Sequence, residues 1–84
     1  MEEIGMKTYE LLINGNVVND YILGRISGII YVIAGMPEVA YAWRITEDHK
    51  NCTVKYDATE EQHKAIIECI DKNYPKALGG VREI

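Results

Sequence analysis

The stretch CTVKYDATEEQHKAIIECI, residues 52–70, contains a strand followed directly by a helix. Within Cys52–Tyr56 the apolar residues alternate with polar ones, which is the pattern of a half-buried β-strand. Thr59 and Gln62 then have the spacing of a capping box, in which each side chain satisfies a backbone N–H of the other residue. The spacing predicts a helix that begins after Thr59. We expect its buried stripe to consist of Ala65, Ile66, Cys69 and Ile70.

A strand followed by a helix also occurs earlier in the chain. Residues 8–13 alternate between apolar and polar side chains, and this predicts a first strand. Asn19 or Asp20 can cap a helix over residues 21–34, because a short side-chain oxygen accepts from an N–H of the first turn. Gly35 suits the left-handed position that follows many helices. We expect the buried face of this helix to consist of Ile22, Ile26, Ile29, Ile30 and Ile33.

Two further segments complete the predicted order. Val39–Thr46 alternates and predicts a second strand, and Val81–Ile84 predicts a short last strand after a turn at Gly79 and Gly80. The order strand, helix, strand, strand, helix, strand is typical of an α+β ferredoxin-like βαββαβ sandwich. In that two-layer fold a four-stranded antiparallel sheet carries both helices on one face. We expect residues 1–6 to be a frayed terminus and residues 7–84 to form a single domain.

Composition disfavours several classes of partner. The 84 residues include 13 acidic and 9 basic ones, which gives a net charge of −4. This balance disfavours nucleic acid, because affinity for the phosphate backbone depends on Lys and Arg. No apolar segment approaches the roughly 18 residues that cross a bilayer, so we expect no membrane partner. The acidic start, Met1-Glu2-Glu3, does not resemble a secretory signal, and we therefore expect a cytoplasmic protein with both cysteines as thiols.

The histidines and cysteines are the residues that could carry metal or catalytic chemistry. His49 and Cys52 have plausible spacing on the predicted hairpin and are the weak metal candidates. Cys69 belongs to the apolar stripe, where we expect it to be buried and slow to react, while Cys52 is more accessible. His63 and Cys69 are too far apart along one helix to form a catalytic pair. We therefore predict no resident metal, no cofactor and no enzymatic activity.

Three motifs resemble the heavy-metal-associated (HMA) domain, the copper-chaperone family. They are MPEV at residues 36–39, TVKYDATEE at residues 53–61, and AII at residues 65–67 leading to NYP at residues 73–75. The resemblance implies the ferredoxin-like fold. In the family, a Met-x-Cys-x-x-Cys motif at the start of the first helix binds soft metal. The corresponding residues 20–25, DYILGR, contain no Met or Cys, so the resemblance implies the fold without the metal site.

A second resemblance leads to a different function. LGRISGI at residues 23–29 is similar to the first helix of ACT domains, and GVREI at residues 80–84 suits their last strand. This resemblance implies a regulatory module that binds a small molecule at a dimer interface. The Pro-Gly that such domains usually carry between the first strand and helix is missing here. A last strand at the sheet edge and a dimer in solution would favour this alternative.

We therefore predict a non-catalytic binding or interaction module on an HMA-like fold. The alternatives are an ACT-like module and a weak metal binder through His49 and Cys52. Strict alternation places Trp43 against the helices, together with Val39, Tyr41 and Ile45. We expect a protein partner or a second copy of the chain to dock on the opposite face of the sheet. The predicted partner-binding residues there are Ala40, Ala42, Arg44 and Lys55, with Thr53 beside them.

Gly24 and Gly28 lie four residues apart on one face of the first predicted helix. Glycine inside a helix costs about 1 kcal/mol relative to alanine, so both positions require a compensating contact. A partner chain could approach closely at this stripe, or the second helix of the same domain could pack against it. We expect the second helix of the same domain to pack against the two glycines.

Overall fold

The computed structural model describes residues 5–40 and 52–84. Four strands form one antiparallel sheet in the order β2-β3-β1-β4, and two helices complete the chain. The predicted βαββαβ ferredoxin-like α+β fold is confirmed. Its elements are β1 Lys7–Ile13, α1 Asp20–Ala34, β2 Glu38–Ala40, β3 Cys52–Ala58, α2 Glu60–Asn73 and β4 Leu78–Glu83.

Local hydrogen bonds define where the helices begin and end. The Asn19 side chain caps α1 and accepts from the Ile22 amide at 2.9 Å. Thr59 and Gln62 form the predicted capping box at the start of α2. The Gln62 side-chain Nε2 also donates to the Ile33 carbonyl oxygen at 3.2 Å, and this bond links the start of α2 to the end of α1. Gly35 follows α1 with φ of +111°, a backbone conformation that L side chains rarely adopt.

Both helices pack on the same face of the sheet and bury a single core. Within the predicted first strand, the alternating residues Tyr9, Leu11 and Ile13 are all buried. The most buried positions of α1 are Leu23, Ile26 and Ile30. The predicted stripe of α1 was therefore misplaced at Ile22, which is only half-buried because the helix presents residues 23, 26 and 30 to the sheet. Ala65 of α2 is exposed, contrary to the prediction, because α2 packs through Ile66 and Ile70.

Strand β4 is longer than predicted, since Gly79 and Gly80 lie within it rather than in a turn. The strand pairs with β1, and its register shifts between Leu12 and Ile13. A Cβ atom at Gly79 would lie 3.5 Å from the Leu12 carbonyl oxygen. This is an ordinary van der Waals distance, so the pairing with β1 rather than the lack of a side chain keeps the glycines in the strand, and Leu78 reaches the core.

The described part of the predicted second strand ends at Ala40. Within it, Val39 is half-buried against the core and Ala40 is exposed, in agreement with the predicted alternation. Trp43 lies outside the described residues, as do Tyr41 and Ile45. Neither described helix is long and apolar enough to cross a membrane.

Candidate functional site

The face of the sheet opposite the helices, here called the open face, carries a row of four charged side chains. Direct strand neighbours place Glu38 beside Lys55, Lys55 beside Glu10, and Glu10 beside Arg82. Because the strand order is β2-β3-β1-β4, the charges alternate from one edge of the sheet to the other: negative, positive, negative, positive. We call these four residues the charged row.

A second row, without charges, lies immediately beside the charged row. Its members are also direct neighbours across the strands: Ala40, Thr53, Leu12 and Gly80. Leu12 is 41% exposed and its side chain leans toward the two glycines of β4, where a Cβ atom at Gly80 would lie 3.8 Å from the Leu12 Cβ. We call this the flat row, because its members other than Leu12 have small side chains or none.

One ion pair lies within the charged row. The Arg82 Nε donates to Glu10 Oε1 at 2.7 Å, and the Arg82 side chain remains 73% exposed. Lys55 is within ion-pair distance of neither Glu10 nor Glu38, although both are its neighbours on adjacent strands. Exposed ion pairs contribute at most about 1 kcal/mol to folding. The alternation of charge is therefore a property of the surface rather than a major source of stability.

The structure places two of the four predicted partner-binding residues. Ala40 belongs to the flat row and Lys55 to the charged row, so both lie on the open face. Ala42 and Arg44 lie outside the described residues. Glu10, Leu12 and Arg82 were not among the predicted partner-binding residues, because their position beside Lys55 and Thr53 depends on the register of β1 with its two neighbours.

A cluster of three aromatic side chains lies on the helix side of the sheet. The Tyr56 hydroxyl and His63 Nδ1 are 2.6 Å apart. The His63 ring stacks on Tyr9, with centroids 3.7 Å apart and planes 4° from parallel. Burial raises the pKa of Tyr56 above its usual range and lowers the pKa of His63. Both groups are therefore neutral near pH 7, and the Tyr56 hydroxyl and His63 Nδ1 form a hydrogen bond with a structural role.

The two cysteines have the opposite exposure to the one predicted. Cys52 is fully buried, because it lies on the core side of β3, and burial together with the Asp20 carboxylate raises its pKa to about 11. Cys69 is only half-buried, at the margin of α2. Metal ligation requires a thiolate, so the environment of Cys52 disfavours a site there. Its predicted partner His49 lies outside the described residues. Within residues 5–40 and 52–84, no three His, Cys, Asp or Glu residues are grouped to hold a metal.

The predicted packing of Gly24 and Gly28 against α2 is wrong. A Cβ atom at either glycine would meet no atom of the described residues within 4 Å. Both glycines border a shallow apolar groove with Ile29, Val32 and Cys69. They are exposed because α1 turns residues 23, 26 and 30 to the core and residues 24 and 28 outward.

A scan against protein-family models gave no matching family. Searches of the curated proteins and of the solved structures gave no significant match either.

Proposed function

We propose that this chain is a non-catalytic protein-interaction module, built on an HMA-like fold without the metal site, and that its partner binds the open face. The observation that carries the proposal is the arrangement of the two rows. Apart from Leu12, the flat row has side chains small enough to let a second surface approach closely, and the charged row beside it supplies fixed positions for complementary charges. Such a surface selects its partner mainly by electrostatic complementarity.

The fold supports this assignment of the binding surface. Both helices cover one face of the sheet. The other face carries the two rows, with Thr8 and Asp57 as the next pair beyond the charged row. Leu12 is a large apolar side chain at the centre of that face, yet it is 41% exposed. Docking of a partner would remove the Leu12 side chain from water, which is favourable at about 25 cal/mol per Å² of apolar area.

Site-specific photocrosslinking tests the surface. A photoreactive amino acid replaces Thr53 on the open face in one variant and Val32 on the outer side of α1 in another, and both are irradiated in the native cells. We expect a defined protein adduct from position 53 and none from position 32. The crosslinked protein is then purified, and its affinity is measured for the unmodified chain and for Leu12→Lys.

The expected result is a loss of affinity of about tenfold or more in Leu12→Lys, because a charge would replace the apolar centre of the contact. Val32→Lys serves as the matched control, since it adds the same charge on the other side of the molecule. Adducts from position 32 alone, or equal affinities of the two lysine variants, would contradict the proposal. Circular dichroism establishes that each variant is folded.

One observation favours the ACT-like alternative as a second candidate. Strand β4 lies at the edge of the sheet, the position that this alternative requires. Its test is thermal unfolding in the presence of each common amino acid, because a ligand that binds only the folded chain raises its stability. Two results together would favour this function over the first. The melting temperature would rise with the concentration of one amino acid, and the rise would disappear when the protein is diluted until its dimer dissociates.

A further inference from the structure

We propose that the partner of the open face is a second copy of this chain, bound face to face about a twofold axis that runs parallel to the strands between β3 and β1. This inference rests on the proposed function and names its partner. It follows from the order of charges in the charged row. Rotation about this axis places the charged row of the second copy against that of the first in reverse order.

Reversal of the row places every charge opposite its complement. The order from one edge to the other is Glu38, Lys55, Glu10 and Arg82. After rotation about the proposed axis, Glu38 faces Arg82 of the second copy, and Lys55 faces Glu10 of the second copy. The same contacts occur twice, because a twofold interface is reciprocal. The dimer therefore contains four attractive charge pairs and no opposed like charges in this row.

The flat row matches in the same orientation. Thr53 of one copy faces Leu12 of the other, and Ala40 faces Gly80. The larger side chains thus meet at the centre, near the axis, while the smallest ones meet toward the edges. Face-to-face sheets with strands in similar directions normally cross at about 30°, because each sheet is twisted. The central strands β3 and β1 consequently carry the closest contacts.

The alternation of charge also selects against the other face-to-face arrangement. A twofold axis in the plane of the sheet but perpendicular to the strands, aligned with the charged row, would place each charge opposite an identical one. Opposed like charges are costly and are a common means of excluding incorrect pairings. The charged row therefore specifies one orientation of the second copy.

The dimensions of the open face predict a weak dimer. The described strands β2, β3, β1 and β4 contain 3, 7, 7 and 6 residues. At about 4.8 Å between strands and about 3.3 Å per residue, they give a face of roughly 360 Å² per copy. This area is about half that of a standard interface, so we expect a dissociation constant on the order of 100 µM. Surface charge pairs weaken with salt, and we expect dimerisation to decrease between about 50 mM and about 500 mM NaCl.

A complementation experiment with two edge substitutions tests the orientation. In Arg82→Glu, and separately in Glu38→Lys, two of the four charge pairs become repulsive, so each variant should dimerise about tenfold or more weakly than the natural chain. In the mixture, position 82 of one variant faces position 38 of the other with opposite charges, and all four pairs become attractive. Sedimentation equilibrium should show the mixed dimer with nearly natural affinity. Lys64→Glu, on the exposed side of α2, is the matched control and should dimerise like the natural chain.

Three outcomes would overturn the second copy as partner: a strictly monomeric natural chain at about 1 mM and low salt, equal loss of dimer in Lys64→Glu, or a mixture no better than its components. The proposed function has a separate readout. If the natural chain is monomeric but position 53 still crosslinks to a different protein, the inference fails and the interaction module stands. If position 53 forms no adduct at all, both fail. Glu38 and Arg82 are both exposed, so we expect their variants to fold. Lys55→Glu provides a further variant with weakened dimerisation in case Arg82→Glu or Glu38→Lys folds poorly.

Discussion

Replacement of Tyr56 by Phe removes one oxygen atom from the core and leaves the ring in place. In the natural chain, the Tyr56 hydroxyl and His63 Nδ1 are 2.6 Å apart, and Tyr56 is only 4% exposed. The substitution leaves His63 Nδ1 without its hydrogen-bond partner in a half-buried site. A hydrogen bond contributes about 1 kcal/mol, and an unpaired buried donor or acceptor costs about 1–3 kcal/mol. Since His63 is only partly buried, we expect the free energy of unfolding to fall by about 1–2 kcal/mol.

Urea unfolding followed by circular dichroism measures this loss. For a chain of this size, 1 kcal/mol corresponds to a shift of about 4–8 °C in melting temperature, so a thermal scan gives a second measurement. Tyr31→Phe is the control, because Tyr31 lies 58% exposed on α1 and its loss of a hydroxyl should change stability by less than about 0.5 kcal/mol. A loss in Tyr56→Phe no larger than that of the control would refute the structural role of this contact.

Three further predictions concern titration, thiol reactivity and helix stability. Burial lowers the pKa of His63 from its ordinary value of 6.5. The stabilising contribution of the neutral ring is therefore complete above about pH 6.5 and is lost as the pH falls through the lower pKa of the folded state. Urea unfolding across this range should depend less on pH in His63→Gln than in the natural chain. Cys69 should react faster than Cys52 with a thiol reagent in the native state, because Cys52 is fully buried with a pKa raised to about 11; equal rates in mass-spectrometric labelling would contradict this. Gly24→Ala and Gly28→Ala should each stabilise the chain by about 0.5–1 kcal/mol in urea unfolding, because the added methyl group meets no described atom within 4 Å.

The elements of the fold were predictable because their boundaries depend on local chemistry. Thr59 and Gln62 satisfy each other's backbone groups within one turn, and Asn19 caps α1 in the same local manner. Positions decided by packing were less predictable. Gly79 and Gly80 have the composition of a turn, but pairing with β1 and the burial of Leu78 extend the strand through them. Local preference and tertiary contact disagree there, and the tertiary contact determines the structure.

The exposure of Cys69 and of the α1 glycines shows the same limit. A helical stripe predicted from periodicity has an uncertainty of about one residue, which corresponds to 100° of rotation in a helix with 3.6 residues per turn. Rotation of α1 toward Leu23 turns Gly24 and Gly28 outward. Such a rotation preserves the amphipathic pattern, so the sequence predicts the helix correctly while misplacing the residues at its margins.

The charged row illustrates why a binding surface on a sheet is hidden in the sequence. Its four residues come from four strands, and Glu10 and Arg82 are 72 positions apart along the chain. Only the pairing register places them in one line. A slip of one residue in any strand would turn that strand's charge toward the helices, so the row exists only if every register is correct. The same registers place Tyr9, Leu11 and Val54 in the core. Burial of those side chains therefore also fixes the alternation of charge on the opposite face, and through it the orientation of the proposed dimer.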